Sequence, residues 1–183
     1  MERTSNKESP LVILANDPSI CAWGYAVLNA NGKILATGCI KTGSQAKKRR
    51  IRKGDDSIRR IVEINQTLIK VIKKYKVSYL LSELPHGSQS ASAAVMIGTV
   101  TGIMQTMADC FEIGVEWYSE ADTKRCTLGR ISATKGEMIE VMASLMDVPW
   151  TGIKYKDEAV ADALAVYYTA SKQSHTLKMF KRI

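Results

Sequence analysis

Four acidic residues occupy positions where their carboxylates could meet in one site. Asp17 and Glu83 each stand at the end of an apolar run, shortly before a proline. Glu158 and Asp162 lie four residues apart in an alanine-rich segment, so both would project from nearly the same face of a helix. Asp162 lies one turn further into the helix than a capping acid does, and its neighbours are alanines. Its charge therefore needs a partner or a cation.

Carboxylates without histidine or thiol neighbours favour hard divalent cations. Four of them in one cleft repel each other strongly unless such a cation neutralises them, and Mg²⁺ is the expected occupant, with Mn²⁺ as a substitute. Two ions about 4 Å apart can activate a water and stabilise the departing 3′ oxygen when a phosphodiester is cleaved. A turn-forming role for Asp17 and first-turn caps for Asp157 and Glu158 remain open alternatives.

Short apolar runs predict the strands that position these acids. Residues 11–14 form a buried strand that ends at the turn 16–19, and an Asn-Gly pair at 31–32 predicts a hairpin between the run 25–28 and a returning strand at 33–40. Residues 77–82 form a strand that delivers Glu83, and 115–118 form another. The acids converge if the sheet is parallel at these strands and the last helix crosses its face.

The helices follow from apolar spacing. Residues 57–75 predict an amphipathic helix, residues 134–145 a helix with a capping box at Thr134 and Glu137, and residues 156–168 the alanine-rich helix. The helix at 91–110 is apolar on most sides, so either a second subunit covers it or it is wholly internal. Gly98 and Gly102 would let another helix approach closely.

Charge indicates a polyanionic partner. The chain has 183 residues and a net charge of +8, which suits one domain with a basic surface. The densest block predicts an exposed, mobile loop that grips phosphates, although a solvated loop or a localisation tag would look the same. Its cations are Lys47, Lys48, Arg49, Arg50, Arg52 and Lys53.

The remaining features predict the limits of the domain, the state of its cysteines and its location in the cell. We expect a flexible N-terminal tail at 1–10, one domain at 11–170, and a basic tail at 171–183 that is a fraying helix end or an arm. The four cysteines lack zinc or disulfide spacing. No apolar run approaches the roughly 20 residues of a membrane helix, and the start is not a signal peptide, so no membrane and a cytoplasmic location are expected.

Several short motifs, in their order and spacing, resemble the RuvC family of Holliday-junction resolvases. They are ILANDP at 13–18, TGCIKT at 37–42, Glu83 after its strand, and ADALA at 161–165. The resemblance implies an α/β ribonuclease H-like fold, with a central mixed five-stranded β-sheet flanked by α-helices. It also implies that Asp17, Glu83 and Asp162 bind metal, and that the helix with Gly98 and Gly102 builds a homodimer.

Two lysines and one loop complete the site that the resemblance implies. Lys124 and Lys135 match lysines that the family places near the scissile phosphate, and Lys135 is counted with the catalytic residues. Family members often carry an aromatic wedge in the loop after Glu83. Here His86, Ser88 and Gln89 stand in that loop and are predicted to contact DNA. The sequence therefore does not indicate how the protein would open the crossover of the junction.

The fourth acid also departs from the family pattern. It usually stands three residues before the last acid, where this chain has Ala159. Because glutamate is one methylene longer than aspartate, Glu158 is assigned as the fourth metal ligand, with Asp157 as the fallback. The basic block resembles an insertion, which suggests a divergent or viral member.

The predicted function is a Mg²⁺-dependent endonuclease that acts as a homodimer on branched DNA. It would nick opposed strands of a four-way junction in recombination, repair or replication, without a small-molecule cofactor, near the nucleoid or in the cytoplasm of an infected cell. Three alternatives remain: a junction-binding protein with weak or no catalysis, a nuclease of this fold that cuts RNA, and an actin-like ATPase. The last is disfavoured because the turn after Asp17 lacks a phosphate-cradling glycine and the chain holds only one lobe.

Overall fold

A five-stranded mixed sheet forms the centre of the protein in a computed structural model that describes residues 11–180. Its first three strands form an antiparallel meander, while the last two strands add on in parallel, next to the first. The strand order is β3-β2-β1-β4-β5. The strands are β1 (Val12–Asp17), β2 (Ala22–Asn29), β3 (Ile34–Lys41), β4 (Tyr79–Leu84) and β5 (Gly114–Ser119). The predicted meander and the predicted mixed sheet are both confirmed.

Helices cover both faces of this sheet, which is the ribonuclease H-like arrangement that the sequence predicts. The helices are α1 (Ala46–Arg49), α2 (Lys53–Tyr75), α3 (Ala91–Phe111), α4 (Glu120–Leu128), α5 (Lys135–Leu145), α6 (Lys154–Gln173) and α7 (His175–Phe180). A capping box between Thr134 and Glu137 begins α5, as predicted, and α6 contains the alanine-rich segment.

Two hydrophobic cores lie on opposite faces of the sheet. Ile13 and Ala15 of β1 pack in one core with Leu164 of α6, whereas Leu14 and Leu80 pack in the other core with α2 and α3. Successive side chains of a strand point to opposite faces, so the odd-numbered positions of β1 belong to the α6 face. Asp17 continues that odd-numbered series, and an acid at the end of β1 therefore faces α6.

Gly24 lets α6 approach the sheet closely. A Cβ atom at this position would lie only 1.9 Å from the carbonyl oxygen of Ala159 in α6. Gly24 is also the register partner of Asp17 on the neighbouring strand. The separation between α6 and the end of β1 thus depends on the absence of a side chain at residue 24.

The basic block differs from the predicted loop. Residues 46–49 form the short helix α1, and α2 already begins at Lys53, so part of the predicted mobile loop is helical. Every residue from Lys47 to Lys53 is nevertheless exposed, as predicted. Helix formation is tolerated because all these charges remain in water, and Arg52 forms an ion pair of 2.7 Å with Asp55.

The C-terminal segment is folded where the sequence predicts a fraying end or a basic arm. Residues 171–173 complete α6, and in α7 the side chain of Leu177 is buried in the core. Ser174 donates a hydrogen bond of 2.8 Å from its Oγ to Oε1 of Glu116 on β5. The tail prediction is therefore wrong for residues 171–180. The predicted flexible tail at 1–10 and the last three residues lie outside the described part of the chain.

Helix α3 is long and apolar enough to cross a membrane, judged by length and composition alone. Glycine, serine and threonine interrupt its apolar residues, and core helices of soluble proteins can be equally long and apolar, so the expected absence of a membrane partner stays a prediction. Only 28% of its most apolar 18-residue stretch is buried within this chain. The alternative of a wholly internal core helix is wrong, because Val95 is 61% exposed.

Candidate active site

Three of the four predicted acids come together at one edge of the sheet. Asp17 is the last residue of β1, and Glu83 lies near the end of the parallel strand β4. The register pairs Asn16 with Ser82, so the next pair along the two strands is Asp17 and Glu83. Asp162 is contributed by α6, which crosses this face of the sheet. The carboxyl ends of parallel strands and one helix therefore position three carboxylates.

A small cavity of about 60 Å³ opens at this edge. Its charged lining consists of Glu83, Glu120, Lys124, Lys135 and Asp162. Glu120 is the first residue of α4, directly after β5. The cavity therefore collects acids from β4, α4 and α6, with two lysines at its wall.

The acids raise one another's pKa. Burial raises the pKa of Asp17 well above its ordinary value, and the charges of Asp162 and Glu83 raise it further. Burial also raises the pKa of Glu83 to about 7, again with help from Asp162. The pKa of Asp162 rises to about 6 through burial, although Lys135 and Lys124 oppose the rise. Without a further positive charge, this site disfavours full ionisation.

A buried asparagine fixes the end of β1. Asn16 is fully buried, and its Nδ2 donates to the carbonyl oxygens of Leu14 at 3.0 Å and Leu81 at 3.2 Å. Its Oδ1 accepts a hydrogen bond of 3.1 Å from Nε1 of Trp23 on β2. One side chain thus ties β1 to β4 and β2 immediately before Asp17, which restricts how far that carboxylate can move.

Lysines and a histidine surround the acids. Nζ of Lys135 lies 3.9 Å from Oδ2 of Asp162, and its side chain is 64% exposed. Lys124 forms an ion pair with Glu120, one helical turn away. Nε2 of His86 lies 3.5 Å from Oε2 of Glu120. The predicted DNA-contacting residues His86, Lys124 and Lys135 therefore lie beside the carboxylates, with Lys135 open to solvent.

The predicted fourth acid does not line this cavity. Glu158 is half-buried on α6. Its charge raises the pKa of Asp162, but less than burial and the charge of Glu120 do. The fallback Asp157 is buried and accepts hydrogen bonds from N and Oγ1 of Thr151, at 2.9 and 2.8 Å. Asp157 therefore stabilises the start of α6, as an ordinary first-turn acid does.

The other predicted DNA-contacting residues lie on the surface. Ser88 and Gln89 are exposed in the loop between β4 and α3. A separate groove of about 360 Å³ connects the basic block to the turn after Asp17, because Lys53 and Pro18 both line it. Arg60 on α2 also lines this groove and donates a hydrogen bond of 2.9 Å to the carbonyl oxygen of Ile20. Of the basic block, Lys53 therefore lines a groove that reaches the turn directly after Asp17.

The donor set fits a hard divalent cation. The converging groups are carboxylates, and the four cysteines are free thiols outside the cavity lining. Within residues 11–180, no three His, Cys, Asp or Glu side chains are close enough to hold one ion as they stand. Glu83, Glu120 and Asp162 share the cavity, whereas Asp17 does not line it and is linked to Glu83 and Asp162 through its charge. A cation would have to draw these side chains together.

Glu120 is the residue that the sequence interpretation missed. It looks like a first-turn acid of α4, whose N-terminus is capped by Ser119 and Asp122. The signal that revealed Asp17 and Glu83, an acid at the end of a core strand, also applies to Glu120 after β5. Because β5 is parallel to β4, its carboxyl end reaches the same edge.

Comparison with known proteins decides the family. A family model described as crossover junction endodeoxyribonuclease RuvC matches residues 13–170. The chain belongs to the RuvC family. This RuvC family member is 25% identical over 161 residues to RuvC of Shewanella frigidimarina, covering 86% of this chain and 87% of the relative. It is 27% identical over 163 residues to RuvC of Rickettsia bellii, covering 87% and 96%.

Solved RuvC structures share its fold. Thermus thermophilus RuvC superposes with a TM-score of 0.66 at 20% identity, covering 91% of this chain and 96% of that one. The yeast mitochondrial Holliday junction resolvase Ydc2 superposes with a TM-score of 0.61 at 10% identity, covering 93% and 81%. The predicted resolvase function and enzyme class, a crossover junction endodeoxyribonuclease, are confirmed at the level of the family. RuvC nucleases generally depend on divalent metal ions.

The raised pKa of Glu83 predicts how stability changes with pH in the metal-free protein. Between pH 4.5 and about 7, the folded protein retains a proton on Glu83 that the unfolded chain releases. The free energy of unfolding therefore falls as pH rises through this window, by on the order of 3 kcal/mol in full. Glu83→Gln removes this titration.

Urea unfolding of both proteins in EDTA, at pH 4.5 and at pH 7.5, measures the effect. Glu83→Gln should gain stability relative to the wild type as the pH is raised. Equal differences at the two pH values would show that Glu83 titrates normally in the folded protein.

Proposed function

We propose that this RuvC family member binds four-way DNA junctions as a homodimer and nicks two opposed strands in a Mg²⁺-dependent reaction. Mn²⁺ should substitute, and two ions per site are expected, with Asp17, Glu83 and Asp162 as ligands. The observation that carries the proposal is the convergence of these three carboxylates at the ends of β1 and β4 and on α6. Thermus thermophilus RuvC, with the same fold, has been solved in complex with a Holliday junction substrate.

Each residue near the acids has a role that follows from its charge and position. Bound ions would supply an activated water and charge stabilisation for the departing oxygen. The acids hold these ions, and Asn16 restrains the strand that carries Asp17. Lys135, exposed beside Asp162, is positioned to pair with a phosphate oxygen of the strand being cut.

Phosphate contacts would supply most of the affinity. Lys124 and Lys135 line the acidic cavity, and the exposed cations of the basic block would add further phosphate contacts. Such contacts carry no sequence information, so the preference for branched DNA would come from the geometry of the two sites. His86, Ser88 and Gln89, in the loop after Glu83, would contact the crossover. We expect the protein to act in the cytoplasm, with the chromosome or with viral DNA.

A cleavage assay on labelled intact junction, nicked junction and linear duplex tests the function. The proposal predicts paired nicks in the intact junction with Mg²⁺ or Mn²⁺, none in EDTA, and little cutting of linear duplex. Binding without cutting in either metal would favour the alternative of a junction-binding protein, which rests on the absence of an acid at residue 159. Cleavage of structured RNA in preference to the junction would favour the ribonuclease alternative.

The homodimer proposal rests on α3. Its exposed residues between Ala91 and Gly102 are small or apolar, whereas Gln105 and Asp109 are exposed nearer its end. A Cβ atom at Gly98 or Gly102 would meet no heavy atom within 4 Å. An apolar helix left this exposed in one chain is typical of a surface covered by a second copy. Glycines four residues apart would allow two such helices to pack closely.

Replacing both Gly98 and Gly102 with leucine should therefore convert a dimer into a monomer. Light scattering after size exclusion would give about twice the chain mass of 20.2 kDa for the wild type and a single chain mass for the variant. The monomer should remain folded, because both positions are open. A monomeric wild type at micromolar concentration, or a variant that stays dimeric, would contradict an α3 interface.

A further inference from the structure

The position of the family's fourth acid is closed in this chain. Ala159 is only 4% exposed, and its backbone packs against Gly24 of β2. Glu158, the neighbouring candidate, is turned by about 100° around the helix axis relative to residue 159 and does not line the acidic cavity. The metal site proposed above therefore has three carboxylate ligands, on β1, β4 and α6. The family's usual position for a fourth carboxylate does not supply one in this chain.

Glu120 reaches the same cavity from the other side. The register pairs Glu83 of β4 with Tyr118 of β5, and Tyr118 belongs to the core on the α6 face. Glu120 directly follows β5 as the first residue of α4, at this same edge of the sheet. Its side chain lines the cavity together with Glu83 and Asp162. Topology and packing thus bring a third strand-end carboxylate to the site.

Two cationic side chains partner Glu120 at the cavity. Its own counter-charges are Lys124 and the partly exposed His86. Glu120 itself is 41% exposed, so solvent screens both pairs and a divalent cation could replace them.

We propose that Glu120 has taken the place of the missing fourth acid, and that it binds the divalent cation together with Asp17, Glu83 and Asp162. Glu158 on α6 then does not bind the cation. The proposal rests on the proposed function, because it presupposes a cation at the other three acids. It predicts that the ion pair between Glu120 and Lys124 opens when the cation binds, which leaves Lys124 free for a DNA phosphate.

Isothermal titration of the metal-free protein with Mn²⁺, without DNA, tests this assignment. Glu120→Gln should weaken Mn²⁺ affinity about tenfold or more, and Glu158→Gln, the matched control, by less than about twofold. The loss in Glu120→Gln should persist in 0.5 M salt, since a direct ligand is not screened as a distant charge is. Thermal unfolding in EDTA checks that both variants are folded.

Asp17→Asn separates failure of this proposal from failure of the proposed function. If Asp17→Asn loses Mn²⁺ affinity and Glu120→Gln does not, Glu120 is not a ligand but the metal site stands. A loss in Glu120→Gln that disappears in high salt would likewise overturn direct ligation. Unchanged affinity in Asp17→Asn would overturn both proposals.

Discussion

Asp17→Asn should bind four-way junctions with nearly the affinity of the wild type and cut them at least about a thousandfold more slowly. The change keeps the size of the side chain and removes the charge at the end of β1, where Glu83 and Asp162 converge. Loss of one charged ligand costs on the order of 4 kcal/mol of transition-state stabilisation, which corresponds to that factor. Single-turnover cleavage in Mg²⁺ and a gel-shift titration in Ca²⁺ measure the two quantities.

The same variant should not be less stable when metal is absent. Burial and the neighbouring acids raise the pKa of Asp17, so an uncharged side chain relieves repulsion at neutral pH. Its thermal midpoint in EDTA should equal or exceed that of the wild type. Asp147→Asn, at an exposed residue after α5, is the matched control and should cut normally. Full cleavage by Asp17→Asn would remove Asp17 from the mechanism.

Gly24→Ala should destabilise the protein by about 3 kcal/mol or more and also reduce cleavage sharply. The added methyl carbon would lie 1.9 Å from the carbonyl oxygen and 2.4 Å from the carbonyl carbon of Ala159, and backbone atoms cannot rotate away as a side chain can. Helix α6 would have to move away from β2. Asp162 lies on that helix, so its carboxylate would shift away from Asp17 and Glu83.

Gly54→Ala is the matched control for this substitution. Gly54 lies near the start of α2, and a Cβ atom there would meet no heavy atom within 4 Å. Alanine in that helix should be neutral or stabilising by about 0.5–1 kcal/mol. Urea unfolding with parallel cleavage assays compares the two variants. If Gly24→Ala unfolds at the wild-type urea concentration, the close contact between α6 and β2 does not hold.

Much of the site was readable from sequence because it rests on local rules. An acid that follows a short apolar run predicts a carboxylate at a strand end, and this rule found Asp17 and Glu83. The helical spacing of its residues and the alanine content predict the helix that carries Asp162. A capping box predicts the start of α5 just before Lys135. Each of these signals depends on only a few neighbouring residues, so it can be recognised without knowledge of the tertiary fold.

The parts that sequence did not reveal depend on contacts between distant residues. Glu120 was hidden because an acid in the first turn of a helix has an ordinary explanation, and only the parallel pairing of β4 with β5 shows that it reaches the site. The C-terminal segment has weak periodicity, and its anchoring by Ser174 depends on Glu116, 58 residues earlier. The consequence of Gly24 appears only once α6 is placed against β2.

Anomalous diffraction from crystals soaked in Mn²⁺ would locate the cations that these carboxylates hold. We expect strong peaks bounded by the carboxylates of Asp17, Glu83 and Asp162, at the carboxyl ends of β1 and β4. Carboxylates that point apart with no peak between them, in a protein that still cuts junctions in Mn²⁺, would contradict this expectation.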